Sequence, residues 1–129
     1  PDVRASVQAH SPVATSLAGV GRNIPAFHYM VALDGGNDIR CAPYATFGTQ
    51  ELSDNALAAL SGRLACLLAN HGMIAVGATL GAALALAREV EALSEQSCRA
   101  LQLGGPSLLP DPEMDTMLEK FKDYGQKKI

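Results

Sequence analysis

Two apolar runs separated by only three residues constrain this chain more than any other feature. Leu64 to Ala69 is continuously apolar, as in a strand covered on both faces, and Met73 to Val76 is a second such run. Between them lies Asn70-His71-Gly72, so His71 falls in a tight connection between two buried strands. Burying such strands takes a sizeable core. At 129 residues, 48% of them hydrophobic and 18% charged, the chain fits one globular domain that can bury roughly two-thirds of its surface.

The rest of the pattern supplies a third strand and several helices. From Val3 to Ala9 the residues alternate, with Val3, Ala5, Val7 and Ala9 on one face and Arg4, Ser6, Gln8 and His10 on the other. Gln8 and His10 therefore point the same way. Ser11-Pro12 offers a cap and a proline at the first helical position for a short helix over Val13–Ala18, placing His10 at a strand-to-helix corner. Gly35-Gly36-Asn37 predicts a turn and Ile39–Ala42 a short strand. Thr49 caps a predicted helix over Gln50–Leu60, with Leu52, Ala56 and Leu60 as its buried stripe. The longest predicted helix spans Thr79–Leu103, with Ala83, Leu86, Val90, Leu93 and Ala100 on its apolar face and Arg88, Glu91, Glu95 and Arg99 in solvent. A last helix over Pro112–Lys122 carries Met114, Met117, Leu118 and Phe121 at helical spacing.

Several classes of function are excluded at this level. Ten basic residues against thirteen acidic ones, with the basic ones scattered, give no concentrated positive field for nucleic acid. No run of about 18 strongly apolar residues and no basic lead-in to an apolar segment predicts a membrane helix or a signal peptide, so a cytoplasmic location is expected. Cys41, Cys66 and Cys98 are odd in number and far apart, without metal-finger spacing, which argues against a disulfide framework. Pro1 runs almost directly into a strand, as if the chain were cut from something longer.

His10 and His71 are the first candidates for chemistry, since each lies where a regular element ends and an imidazole can be fixed at the rim of a sheet. Against a metal or catalytic role stands the reading of both as capped or buried histidines. His28, beside Tyr29 in an apolar segment, reads as a packed, hydrogen-bonded side chain. Tyr44 reads as a loop anchor. Tyr124, beyond the last helix, reads as surface unless a neighbouring subunit uses it. Gly19-Val20-Gly21-Arg22 lacks the preceding strand and third glycine of a dinucleotide loop.

The order of segments resembles the class II aldolase/adducin family over about Val3 to Gly125. The matching stretches are Val7-Gln8-Ala9-His10, where the family has H-x-H, then Ile24-Pro25-Ala26-Phe27-His28-Tyr29-Met30, Gly35-Gly36-Asn37, Cys41-Ala42-Pro43-Tyr44-Ala45-Thr46-Phe47-Gly48-Thr49, Asn70-His71-Gly72, and Glu119-Lys120-Phe121-Lys122-Asp123-Tyr124-Gly125. The resemblance implies an α/β fold: a three-layer sandwich of a predominantly antiparallel sheet with flanking helices, as one domain over residues 1–129 lacking its N-terminal part. It implies a homotetramer with its active site at the subunit boundary, and a zinc ion for which His10 and His71 are ligands. It also implies that Tyr29 and Tyr124 reach a neighbour's site, and that the substrate is a sugar phosphate of the L-fuculose 1-phosphate kind, cleaved to dihydroxyacetone phosphate and an aldehyde.

Gln8 departs from this pattern, because a neutral amide oxygen is a much poorer zinc ligand than an imidazole nitrogen. The glutamate and phosphate-holding loops that the family carries further towards the N-terminus have no counterpart here, so this chain alone is expected to be inactive. A non-catalytic assembly domain like the adducin head is the alternative, and a sugar-phosphate epimerase or a dehydratase on the same scaffold is another.

Overall fold

A computed structural model describes residues 3–122. Four strands form one mixed sheet in the order β1-β4-β3-β2: β1 is Ala5–Ala9, β2 Cys41–Ala42, β3 Ala65–Leu68 and β4 Gly72–Gly77. Both β1 and β3 run antiparallel to β4, and β2 runs parallel to β3. The four helices are α1 (Pro12–Gly19), α2 (Gln50–Ala59), α3 (Leu80–Gln102) and α4 (Asp111–Lys122). The predominantly antiparallel α/β arrangement expected from the resemblance is what forms.

The apolar run in β3 has a direct structural cause. Ala65 and Leu67 join Met73 and Ala75 against Leu17 of α1, Val90 and Leu93 of α3 and Met114 of α4. The intervening Cys66 and Leu68 join Ala42 against Ala56 and Ala59 of α2. Alternate residues of one strand thus feed two cores on opposite faces, which gives three layers. Each fully buried leucine contributes on the order of 2 kcal/mol of transfer free energy. At the end of α2, half-buried Leu60 packs against this second core with Ala56 and Ala59, as the predicted stripe requires, whereas half-buried Leu52 is not among the residues packed there.

Two polar features shape this fold, and the first differs from the sequence reading. Ser11 begins α1 in extended backbone, but its side chain caps nothing. The Glu91 carboxylate from α3 does so instead, accepting from Val13 N at 3.0 Å and Ala14 N at 2.8 Å. A carboxylate there satisfies two orphan donors and meets the positive end of the helix dipole. Glu91 therefore belongs to a helix–helix contact and not to the solvated face assigned to it, whereas Glu95 pairs with Arg99 in solvent as expected.

The second feature is a 3-10 turn over Tyr29–Asp34, which ends at Gly35 with φ 95°. Asp34, 1% exposed, accepts from Leu64 N at 3.1 Å and Ala65 N at 2.7 Å through one carboxylate oxygen, fixing the start of β3. Its other oxygen lies 3.4 Å from Arg63 Nε. Among the described residues no helix is long and apolar enough to cross a membrane.

Candidate functional site

The end of β1 and the β3–β4 turn meet because of one glycine. In the register Gln8 faces Ile74 and Ala9 faces Met73, so the next residue, His10, arrives beside the turn. A Cβ on Gly72 would collide with the Ala9 carbonyl oxygen and stand 3.1 Å from His10 Cδ2. Glycine is thus what permits the approach. On the other side of His71, Asn70 adopts a left-handed backbone at φ 58°, a conformation its short polar side chain tolerates. Asn70 N donates to Ala18 O at 2.9 Å, tying the turn to α1.

The result is a convergence of three side chains. The His10 and His71 rings lie with centroids 5.0 Å apart and planes tilted by 56°. Gln8 Nε2 lies 3.0 Å from His71 Nε2. All three line a cavity of about 850 Å³, together with Asn70 and an apolar wall from Tyr44, Ala45, Phe47 and Leu52. Tyr44 is 58% exposed and borders this cavity. The Thr49 cap on Leu52 N starts α2 where its first turn can supply part of the wall.

Tyr29 is elsewhere on the surface. It is 48% exposed and stacks on His28 at 4.8 Å and Phe121 at 6.3 Å, and it does not line the histidine cavity. His28 Nδ1 accepts from Met30 N at 3.1 Å, so His28 is the packed, hydrogen-bonded side chain its context predicts. Tyr124 lies outside the described residues.

Burial pushes the Cys66 thiol up to about 12, and desolvation raises Cys41 and Cys98 as well, so none is a ready thiolate at neutral pH. Asp34 is also shifted, pushed up to about 7 by burial against the opposing pull of its two backbone donors and Arg63. It sits at the start of β3, and the cavity is built without it.

Imidazoles suit zinc and related ions, and His10 and His71 present two of them to one space. The third side chain in reach is an amide. Among the described residues no group of three or more histidine, cysteine or acidic side chains gathers around a common point. The described donor set therefore falls short of the three good ligands a catalytic zinc site requires.

Residues 1–98 match the family model described as Class II Aldolase and Adducin N-terminal domain. The chain belongs to the class II aldolase and adducin family. It is 64% identical over 125 residues to a 5-methylthioribulose-1-phosphate/5-deoxyribulose-1-phosphate aldolase of Rhodospirillum rubrum, a match covering 97% of this chain and 57% of the relative. An L-fuculose phosphate aldolase of Escherichia coli K12 is 48% identical over 126 residues, covering 97% of this chain and 59% of that protein. A solved L-fuculose 1-phosphate aldolase superposes with TM-score 0.91 at 47% identity, covering 95% of this chain and 57% of that one. The chain thus spans somewhat more than half the length of these class II aldolase relatives.

The sequence reading singled out both histidines and Gln8, and it placed Gln8 and His10 on one face. It missed Asn70 and Gly72 as the residues that set the geometry, although the Asn-His-Gly order carries that signal: an αL-tolerant residue, then the imidazole, then the one residue without a Cβ.

Proposed function

We propose that the protein carrying this chain is a class II aldolase-type lyase that cleaves a ketose 1-phosphate, with a 5-deoxy- or 5-methylthio-ribulose 1-phosphate as the favoured substrate. The observation that carries this is the 64% identity to the Rhodospirillum rubrum aldolase along almost the whole chain, on a scaffold where His10 and His71 share one cavity. The apolar wall of Ala45, Phe47 and Leu52 supports the choice of substrate, because a pentulose without a hydroxyl at its fifth carbon presents an apolar end.

In aldol cleavage a base takes the proton from the hydroxyl on the aldehyde side, the carbon–carbon bond breaks as that oxygen becomes the aldehyde carbonyl, and the bond's electron pair passes to the other fragment as an enediolate that is then protonated at carbon to give dihydroxyacetone phosphate. Donors already fixed where charge develops lower that barrier most. In this reading His10 and His71 face the ketone end of the substrate, while Tyr29 and Tyr124 serve a neighbouring subunit's cavity in a homotetramer. Tyr29 supports this by standing half-exposed and away from its own chain's histidines. Zinc is the ion this chemistry calls for, and the described residues alone do not complete its site.

The test is release of dihydroxyacetone phosphate, followed by NADH-coupled reduction, from protein expressed from its whole reading frame. Turnover of 5-deoxyribulose or 5-methylthioribulose 1-phosphate above L-fuculose 1-phosphate supports the proposal. The reverse preference moves the substrate to the fuculose class, for which the structural superposition speaks. Folded protein that cleaves none of the three leaves the non-catalytic, adducin-like assembly reading, which Gln8 favours.

A further inference from the structure

An exposed contact of 3.0 Å joins Gln8 Nε2 on β1 to His71 Nε2 in the β3–β4 turn. With the amide nitrogen donating, His71 Nε2 accepts, which calls for the tautomer protonated at Nδ1. Turning the amide over does not free the ring. A glutamine carbonyl at that position accepts only if His71 Nε2 itself carries the proton. In either orientation the hydrogen bond occupies His71 Nε2, one of the two ring nitrogens that could hold an ion.

The backbone gives residue 8 a particular place in this cluster. It shares a strand face with the corner at His10, two residues on, and it touches the ring of the adjacent turn. Gln8, His10 and His71 line one cavity, and a metal site with an open fourth position needs three ligands converging in this way. Residue 8 holds the vertex where a third imidazole would close that site, and it holds an amide.

We infer that Gln8 masks the His10–His71 pair, keeping it in a hydrogen-bonded, metal-sparing state that a zinc-class cation must break open to bind. The cost to the ion is twofold: one strong donor is missing, and a second must give up its internal partner. Replacing a first ligand should change affinity by at least the upper end of the about 10–100-fold that outer-shell changes produce. The inference rests on the aldolase reading for its interest and on the Gln8–His71 contact for its substance.

The experiment is a titration of the folded protein with Zn2+ and with Co2+, read by calorimetry and by the visible absorption of bound cobalt, on wild type, Gln8→His, Gln8→Ala and the double variant Gln8→His/His71→Ala. Thermal unfolding confirms that each variant is folded. The expected result is weak binding by the wild type, a gain of about 100-fold or more in Gln8→His, and loss of that gain in the double variant. Nitrogen-15 NMR of the imidazoles, without metal, should show one fixed tautomer at His71 in the wild type and a mixture in Gln8→Ala. Stoichiometric tight binding by the wild type that weakens in Gln8→Ala would make Gln8 a ligand and overturn the inference. A folded Gln8→His with no gain, or a His71 tautomer indifferent to residue 8, overturns it too. Absence of aldol cleavage with the metal pattern intact removes the proposed reaction and leaves the masking in place. Tight wild-type binding with cleavage intact does the opposite.

Discussion

Gly72 and the carbonyl of Ala9 approach so closely that no side chain fits between them. That approach carries His10 to within 5.0 Å of His71, ring centre to ring centre. Gly72→Ala must push the end of β1 away from β4, at a cost of about 1–3 kcal/mol for overpacking. Urea unfolding should show the loss of stability, and the NMR contact between the two rings should disappear. An unperturbed ring contact in a stable variant would mean that the sheet gives elsewhere.

Asn70 sets the other side of the pair through its left-handed backbone. Asn70→Gly should keep the turn, whereas Asn70→Val should lose about 1–2 kcal/mol because a branched Cβ clashes in that conformation. Comparing the two variants by thermal unfolding isolates the backbone effect. Equal losses in both would instead assign the role of Asn70 to its side-chain amide, whose Nδ2 donates to Gly19 O at 3.5 Å.

Glu91 joins α3 to the start of α1 through two backbone donors. Glu91→Ala should cost about 2 kcal/mol, since hydrogen bonds to a charged group are worth more than neutral ones. Glu91→Gln, which keeps one acceptor, should cost less. Equilibrium unfolding of the two variants should rank them in that order, and a Glu91→Ala protein as stable as the wild type would show that water takes over the cap.

Asp34 gives the fold a pH dependence of definite sign. Its carboxyl is raised from 3.8 to about 7, chiefly by burial. Between those values the folded chain holds a proton that the unfolded chain has released. Stability is therefore greatest in acid with respect to this group, falls as pH rises through that window and levels off above about 7. Melting temperature measured from pH 5 to pH 8 should decline in the wild type, and Asp34→Asn should flatten that segment. A decline of the same steepness in Asp34→Asn would place the titrating group elsewhere.

How much of this was legible beforehand follows from the range of each interaction. The two-faced burial of β3, the alternation in β1, the Thr49 cap and the long α3 are all encoded by neighbours a few residues apart, and periodicity and capping chemistry read such signals directly. The pairing of Gln8 with His71 spans 63 residues, and the capping of α1 by Glu91 spans 77 and 78. No local pattern distinguishes Glu91 from Glu95, one helical turn away.

By itself the sequence determined the strands and the α-helices, though not the 3-10 turn over Tyr29–Asp34, that both histidines stand at element ends, and that Gln8 shares a face with His10. Only the tertiary structure decided that β1 pairs with β4 in the register that brings that face to the β3–β4 turn, that Gly72 leaves room for the approach, and that the Gln8 amide lands on His71. The reason is physical. Local conformation depends on dihedral preference and hydrophobic period, which each short stretch carries with it, whereas the meeting of distant side chains depends on how closely two backbones pack, and a single missing Cβ controls that distance here.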